Sequence, residues 1–349
     1  NNAPLLDEDG QFGSLRSPQA GASRYIGTKL NENFRLIYKD FDLLEYKEEE
    51  GDKIEPKYFL PIVPTILLNG GSGIAVGFAT NILNRKVIDI INSCVDYLNG
   101  REIVEIPPKL NGFLGEYIQD TEKSKKWIIR GKFEKINTTT IHISELPPSM
   151  TYEKYEEVLD GLIENKLITG YDDNCRDNVD YTIKMTRSDL GKMSDTDLIK
   201  MLKLEESQTE IYSTLDEFGK LKIFESTADI IKYFIEFRLG FYQKRKDFII
   251  DKISNDIKTL GNRGRFIKLI LDGKLLINNK MKSEIVDQLG SLGIEKMEDN
   301  YDYLLRMPIH SLTKETFDKI KEDFTNKKSD LNKVKSTLPK DMYLSDLSE

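Results

Sequence analysis

The spacing of hydrophobic residues along this chain changes near residue 227. Before that point, short β-branched runs alternate with turns. Thr65-Ile66-Leu67-Leu68, Trp127-Ile128-Ile129-Arg130 and Thr139-Thr140-Ile141-His142-Ile143 predict strands. Apolar residues at helical spacing predict helices over residues 87–98, 152–164 and about 195–203. Beyond residue 227, Ile230, Phe234, Phe237 and Phe241 follow a four-three-four spacing, which Ile253, Ile257 and Leu260 resume. That is a narrow apolar seam of the kind a coiled coil buries. Gly261-Asn262-Arg263-Gly264 predicts a break, after which Arg265-Phe266-Ile267-Lys268 restarts the helical pattern. A second seam, Phe317, Ile320, Phe324, Leu331 and Val334, runs back towards Pro339. Two seams around a compact helical stretch describe an antiparallel arm with a knob at its tip.

The 349 residues are enough for two or three domains with substantial cores. No apolar run approaches the roughly 20 residues that span a bilayer, and no charged-then-apolar leader opens the sequence. The chain opens in a polar turn without an initiator methionine, which suggests a piece of a longer polypeptide. Cys94 and Cys175 form no metal-type spacing and read as ordinary thiols; His142 and His310 stand apart, which argues against zinc. The net charge of −8 works against duplex DNA as a partner, because such affinity comes from cations meeting phosphates. The charge is uneven, however. Lys123, Lys125, Lys126, Arg130, Lys132 and Lys135 gather around Trp127, with Glu122 and Glu134 against them. Alone, that pattern reads as a solvated hairpin face.

Candidate chemistry sits in two places. Ser23-Arg24-Tyr25-Ile26 puts a phenol beside a guanidinium. A tyrosine oxygen can attack a phosphodiester while an arginine offsets the charge growing on the phosphate. The chain has 16 tyrosines and 51 Lys plus Arg, so such a pair also arises by chance. In the second place, Thr65–Leu68 ends in a glycine-rich loop, Asn69-Gly70-Gly71-Ser72-Gly73, which pushes Ile74 outward. Gly71 and Gly73 also suggest a dinucleotide-binding turn, with Asp96 some 20 residues on, but Val76 stands where that fingerprint needs its last small residue.

The order of the motifs carries more than either alone. Asp9-Gly10-Gln11-Phe12-Gly13-Ser14 followed by Ala22-Ser23-Arg24-Tyr25-Ile26 resembles the active-site segment of type IIA DNA topoisomerases. So does Tyr58-Phe59-Leu60-Pro61-Ile62-Val63-Pro64 running through Asn69-Gly70 and Gly73-Ile74-Ala75-Val76-Gly77 to Ala79-Thr80-Asn81-Ile82. Tyr301-Asp302-Tyr303-Leu304-Leu305-Arg306-Met307-Pro308-Ile309 is similar to that family's exit-gate segment, with Ser311 or Thr313 able to cap the helix that follows.

The resemblance implies an α+β multidomain chain. Residues 1–35 would be the end of a winged-helix domain, 36–226 a mixed α/β tower, and 227–349 a coiled-coil arm with an exit-gate knob. It implies Tyr25 as nucleophile and Arg24 as its phosphate partner. Ile74 would be the wedge that slips between base pairs, with Asn69, Gly70 and Ser72 near the phosphates. Lys126 and Arg130 would then flank bent DNA, and the acidic Glu48-Glu49-Glu50 and Glu205-Glu206 would lie away from it. A basic residue often follows the Gly-Ser pair in this family, but here Leu15 intervenes before Arg16, so that contact stays open. Lys29 could face DNA, although an exposed lysine on a helix needs no such explanation. Asp7-Glu8-Asp9 reads as a solvated loop and not as a metal site. Mg2+ would be bound by a partner's toprim domain and ATP hydrolysed by a partner's ATPase domain. Other implied partners are double-stranded DNA, a second copy through the exit gate, and a large subunit, with no membrane. Within the family the compact tower is most similar to the medium subunit of T-even-type phages. That implies a phage-infected bacterial cytoplasm, or the nucleus or viral factory for a eukaryotic virus. The competing reading is a non-catalytic DNA clamp or coiled-coil scaffold.

Overall fold

The computed structural model describes residues 1–176 and 178–349. It is α+β and divides into two compact units, residues 1–238 with Glu349 and residues 239–348. Among the described residues every strand pairing is antiparallel. A dinucleotide fold needs parallel βαβ units, so that reading of Gly71 and Gly73 is closed; Asp96 pairs instead with Arg101 at 3.0 Å. No helix among the described residues is long and apolar enough to cross a membrane.

The first unit opens with an antiparallel pair, Leu6–Asp9 with Gly27–Leu30, in which Asp9 faces Gly27. Asp7, Glu8 and Asp9 therefore lie in a strand and not a loop, though all are exposed, and Lys29 is on the partner strand and not on a helix. The run Thr65–Asn69 departs from its expected strand and forms a short helix. Pro64 precedes it, and its carbonyl accepts from the Leu67 and Leu68 amides at 3.0 and 3.3 Å. Pro64 is the N-cap of this run, in extended conformation, and one turn suffices to bury both leucines completely.

Two sheets make up the middle of this unit. One has the strand order Glu205–Thr209, Lys126–Arg130, Glu116–Gln119. The other has the order Gly170–Asp173, Tyr181–Lys184, Thr140–Glu145, Lys132–Lys135. The alternating Ile141 and Ile143 turn inward with Tyr181 and Ile183, and Tyr155, Leu159 and Leu162 of the helix Tyr152–Glu164 cover them. Lys126–Arg130 and Lys132–Lys135 thus belong to different sheets and are no hairpin. The chain crosses between sheets at Gly131, whose amide donates to the Leu204 carbonyl at 2.8 Å. A Cβ there would stand 2.3 Å from the Glu145 carbonyl oxygen, so only glycine fits the crossing.

The helix Thr227–Leu271 runs without interruption through Gly261 and Gly264. These glycines are contact positions, not a break: their Cβ positions face Phe324 at 3.3 Å and Ile320 at 3.4 Å on the return helix Lys314–Ser336. Thr313 caps that return helix, accepting from the Thr316 amide. Lys327 and Asp256 bridge the two helices at 2.9 Å. The second unit's core gathers Phe266, Ile267, Leu275, Leu289, Tyr301 and Leu304, and the Tyr301 hydroxyl donates to the Ile294 carbonyl at 2.9 Å. The early part of the first seam is different. Ile230, Phe234 and Phe237 line a cleft within the first unit, where Phe237 meets Tyr58 edge-on at 5.6 Å, and are not a coiled-coil stripe.

Gly240 in the same helix is exposed with nothing near its Cβ position. Gly240→Ala is expected to raise stability by about 0.8–1 kcal/mol through helix propensity. Gly261→Ala is expected to gain less or nothing, because Phe324 must give way. Chemical denaturation of both variants checks this, and equal gains would show that Gly261 is not a packing glycine.

Candidate nucleic-acid cleavage site

Tyr25 closes a single 3-10 turn, Ser23–Tyr25, at the end of the loop joining the first two strands. Its amide donates to the Ala22 carbonyl at 2.8 Å, and the loop is pinned where the Gly21 amide donates to Gln11 at 2.8 Å. Gly10, at φ +107°, lets the loop pass close behind: a Cβ there would stand 3.0 Å from the Tyr25 carbonyl oxygen. The backbone is thus fixed while the side chain is free, with Tyr25 73% exposed. The Arg24 guanidinium lies 4.9 Å from the centre of its ring. A phenol presented to solvent with a cation against its face is suited to meeting a phosphate. Arg16 is directed elsewhere, pairing with Asp173 at 2.8 Å. Among the described residues no three His, Cys, Asp or Glu side chains converge to hold a metal ion; His142 pairs with Asp180 at 3.1 Å.

The glycine-rich segment is a hairpin and not an open loop. Gly71–Ile74 pairs with Ala79–Ile82, and the Ala75 amide donates to the Phe78 carbonyl at 2.9 Å to turn the tip. Gly70 sits at φ +65°, where a Cβ would lie 2.6 Å from the Ile82 carbonyl oxygen. Ile74 projects fully, 95% exposed, and so does Val76 beside it. Sequence reasoning passes over Val76 as a contact residue, although two aliphatic residues two apart at a turn signal such a pair. Ser72 is exposed on the hairpin strand. Asn69 is turned to the chain's own backbone: its side chain accepts from the Ala3 amide at 2.9 Å and donates to the Ala3 carbonyl at 2.8 Å.

The hairpin's base rests on a polar group inside the core. Asn81 and Ile211 exchange backbone hydrogen bonds of 3.0 and 2.8 Å. Next to Ile211 in the chain is Glu210, whose carboxylate is gripped by Arg85 at 2.5 and 2.6 Å, both side chains fully buried. The same carboxylate accepts from the Leu83 amide at 2.8 Å, the Trp127 indole at 3.0 Å and the Tyr212 hydroxyl at 2.9 Å. Burial opposes the guanidinium's charge, but the carboxylate's hydrogen bond and charge outweigh it, so Arg85 holds its proton more firmly than usual. Burial, and then the charge of Glu210, pushes the Tyr212 phenol upward. Nothing in the sequence joins Arg85 to Glu210 across 125 positions.

Lys126 and Arg130 are not bare cations. Lys126 pairs with Asp120 at 3.0 Å, and Arg130 with Glu205 at 2.5 Å. Glu205 therefore lies beside the basic strand, contrary to the expected separation of the acidic and basic segments. Antiparallel pairing opposes Glu205 to Arg130 directly.

The family model that describes the A subunit of DNA gyrase/topoisomerase IV matches residues 1–348. The chain belongs to this family. It is 32% identical to the DNA topoisomerase medium subunit of Enterobacteria phage T4, over all of this chain and 79% of that one. It is 31% identical to DNA topoisomerase 2 of Plasmodium falciparum and 33% identical to the mitochondrial DNA topoisomerase 2 of Dictyostelium discoideum. In both cases all of this chain is covered, and it spans 28% of the relative's length. The fold matches the Plasmodium falciparum topoisomerase II DNA-binding, cleavage and re-ligation domain with a TM-score of 0.88 and 32% identity, covering all of this chain and 52% of that one.

In this member of the gyrase/topoisomerase IV family, Glu210→Gln leaves a buried guanidinium without its counter-charge and is expected to destabilise by about 3–5 kcal/mol. Trp127→Phe, which removes one hydrogen bond to the carboxylate, is expected to cost about 1.5–3 kcal/mol. Denaturant titrations measure both; a Glu210→Gln protein as stable as wild type would deny the pair its place in the core.

Proposed function

We propose that this chain is the DNA-cleaving and rejoining part of an ATP-dependent type II topoisomerase. The observation that carries the reading is the exposed Tyr25 phenol, held on a fixed turn with Arg24 against its ring. It is supported by the fold's likeness to a topoisomerase DNA-binding, cleavage and re-ligation domain. In this reading the Tyr25 oxygen attacks a backbone phosphorus, and the bond from phosphorus to the 3′ oxygen breaks. The 5′ phosphate stays on Tyr25 as an ester, the proton released by the phenol is matched by the one the 3′ oxygen takes up, and the reverse attack reseals the strand. Arg24 offsets charge on the phosphate as it reacts. Ile74, with Val76 beside it, enters between base pairs and bends the duplex. Unstacking a step costs a few kcal/mol, offset by the protein surface that bent DNA reaches. Ser72 and the Gly70 backbone border the phosphates, and Lys126 and Arg130 meet them as parts of ion-paired strands.

Mg2+ and ATP belong, in this proposal, to a large partner subunit with toprim and ATPase domains. Residues 1–35 are read as the end of a winged helix, 36–226 as the tower, and 227–349 as the arm and exit gate. The exit gate joins two copies; Ile309, 85% exposed after Pro308, is a candidate contact. The likeness to the phage medium subunit supports the reading of a separate cleavage subunit.

With Mg2+ and the large partner present, Tyr25→Phe is expected to abolish covalent protein–DNA adducts while duplex binding stays within about twofold, since one phenol oxygen is a minor share of a phosphate-dominated interface. Adducts that persist in Tyr25→Phe would name a different nucleophile, and their absence from wild type would favour a non-catalytic clamp. Ile74→Ala is expected to reduce the bend of an end-labelled duplex read by energy transfer, and an unchanged bend would remove Ile74 as the wedge.

A further inference from the structure

Beneath the hairpin that carries Ile74 lies a cleft of about 840 Å3, wholly within the first unit. Its walls are apolar and largely aromatic, with Pro61, Pro64, Phe224, Phe234 and Phe237 among them. Ile74 and Phe78 of the hairpin border it from the other side. Its size falls within the roughly 300–1,000 Å3 of small-molecule sites, which pair apolar walls with a few placed polar groups. Among the hydroxyl-bearing residues here, which include Thr65, Ser213 and Thr214, stand two carboxylates. Asp216 and Glu217 both line the cleft, and Tyr233 donates its hydroxyl to the Glu217 carboxylate. Lys57, the basic residue of the lining, is already paired with Glu45 at 3.2 Å.

The carboxylates of Asp216 and Glu217 favour positive charge at that corner, part of which Lys222 supplies. Burial first, then the charges of Glu45 and Glu217, push the Tyr58 phenol upward. Burial and the bond and charge of Glu217 push Tyr233 up to about 12. The chain itself shows what such a corner accepts: the Lys222 ammonium stands 3.6 Å from the centre of the Tyr233 ring. Aromatic faces backed by carboxylates hold cations through the ring quadrupole as well as through charge.

We propose that this cleft binds a small aromatic cation, its ring system among Pro64, Phe224 and Phe234 and its amine at the Asp216–Glu217 corner. The assignment stands apart from the DNA chemistry and needs no nucleic acid for its test. The chain is titrated with 1-naphthylmethylamine and, separately, with 1-naphthylacetate, which pair one ring with opposite charges. The amine is expected to saturate a single site and to bind roughly tenfold tighter than the carboxylate, as one charge contact over aromatic faces allows. Glu217→Gln is expected to erase most of that preference, and Phe234→Ala to weaken both probes. Equal affinity for the two probes overturns the proposal, as does amine binding unchanged in both variants. An absence of saturable binding also overturns it and leaves the cleft to a macromolecular partner.

Discussion

The buried pairing of Arg85 with Glu210 is the constraint on which the rest of the first unit depends. A carboxylate and a guanidinium withdrawn from water are tolerable only when geometry and further hydrogen bonds satisfy every remaining donor and acceptor. Here the extra donors are Leu83, Trp127 and Tyr212, drawn from three separate stretches of chain. Arg85 also donates to the carbonyls of Leu83 and Ile106. The Ile106 amide in turn donates to the Thr227 hydroxyl, and the Thr227 amide to the Glu105 carboxylate. One ionic requirement therefore fixes the base of the exposed hairpin, the strand that carries Trp127 and the first turn of the long helix together.

That arrangement explains how a hairpin with a fully exposed tip keeps its aim. The tip makes few contacts of its own, but its root is tied by Asn81 to Ile211 and, through Leu83, to Glu210. The Tyr25 segment solves a related problem differently. Its backbone is fixed by loop hydrogen bonds and a close glycine, so the exposed side chain stands on an anchored Cα. In both places the backbone is held while the side chain stands exposed.

Much of this architecture is legible along the chain. The helices Val87–Leu98 and Tyr152–Glu164 fall where apolar spacing places them, because one face of each is buried and the other is solvated. The outward Ile74 is legible because glycines leave it little to pack against. Thr65–Asn69 reads wrongly as a strand because three consecutive apolar residues satisfy one helical turn as well as a strand. Phe234 and Phe237 share the spacing of a coiled-coil seam, yet periodicity says which residues share a face and not what covers it. The partners of Lys126 and Arg130 are out of reach for another reason. Glu205 meets Arg130 from 75 positions away, through a strand register that local sequence does not encode.

Ile74 and Val76 share a property beyond their exposure. Both are β-branched, and such side chains are stiff at χ1. A residue with few rotamers in water has little conformational entropy to surrender when it is confined, whereas a methionine would lose considerably more. The tip of this hairpin therefore meets whatever encloses it already close to its final shape. Its readiness is a matter of freedom given up in advance, at the stage when the sequence was chosen.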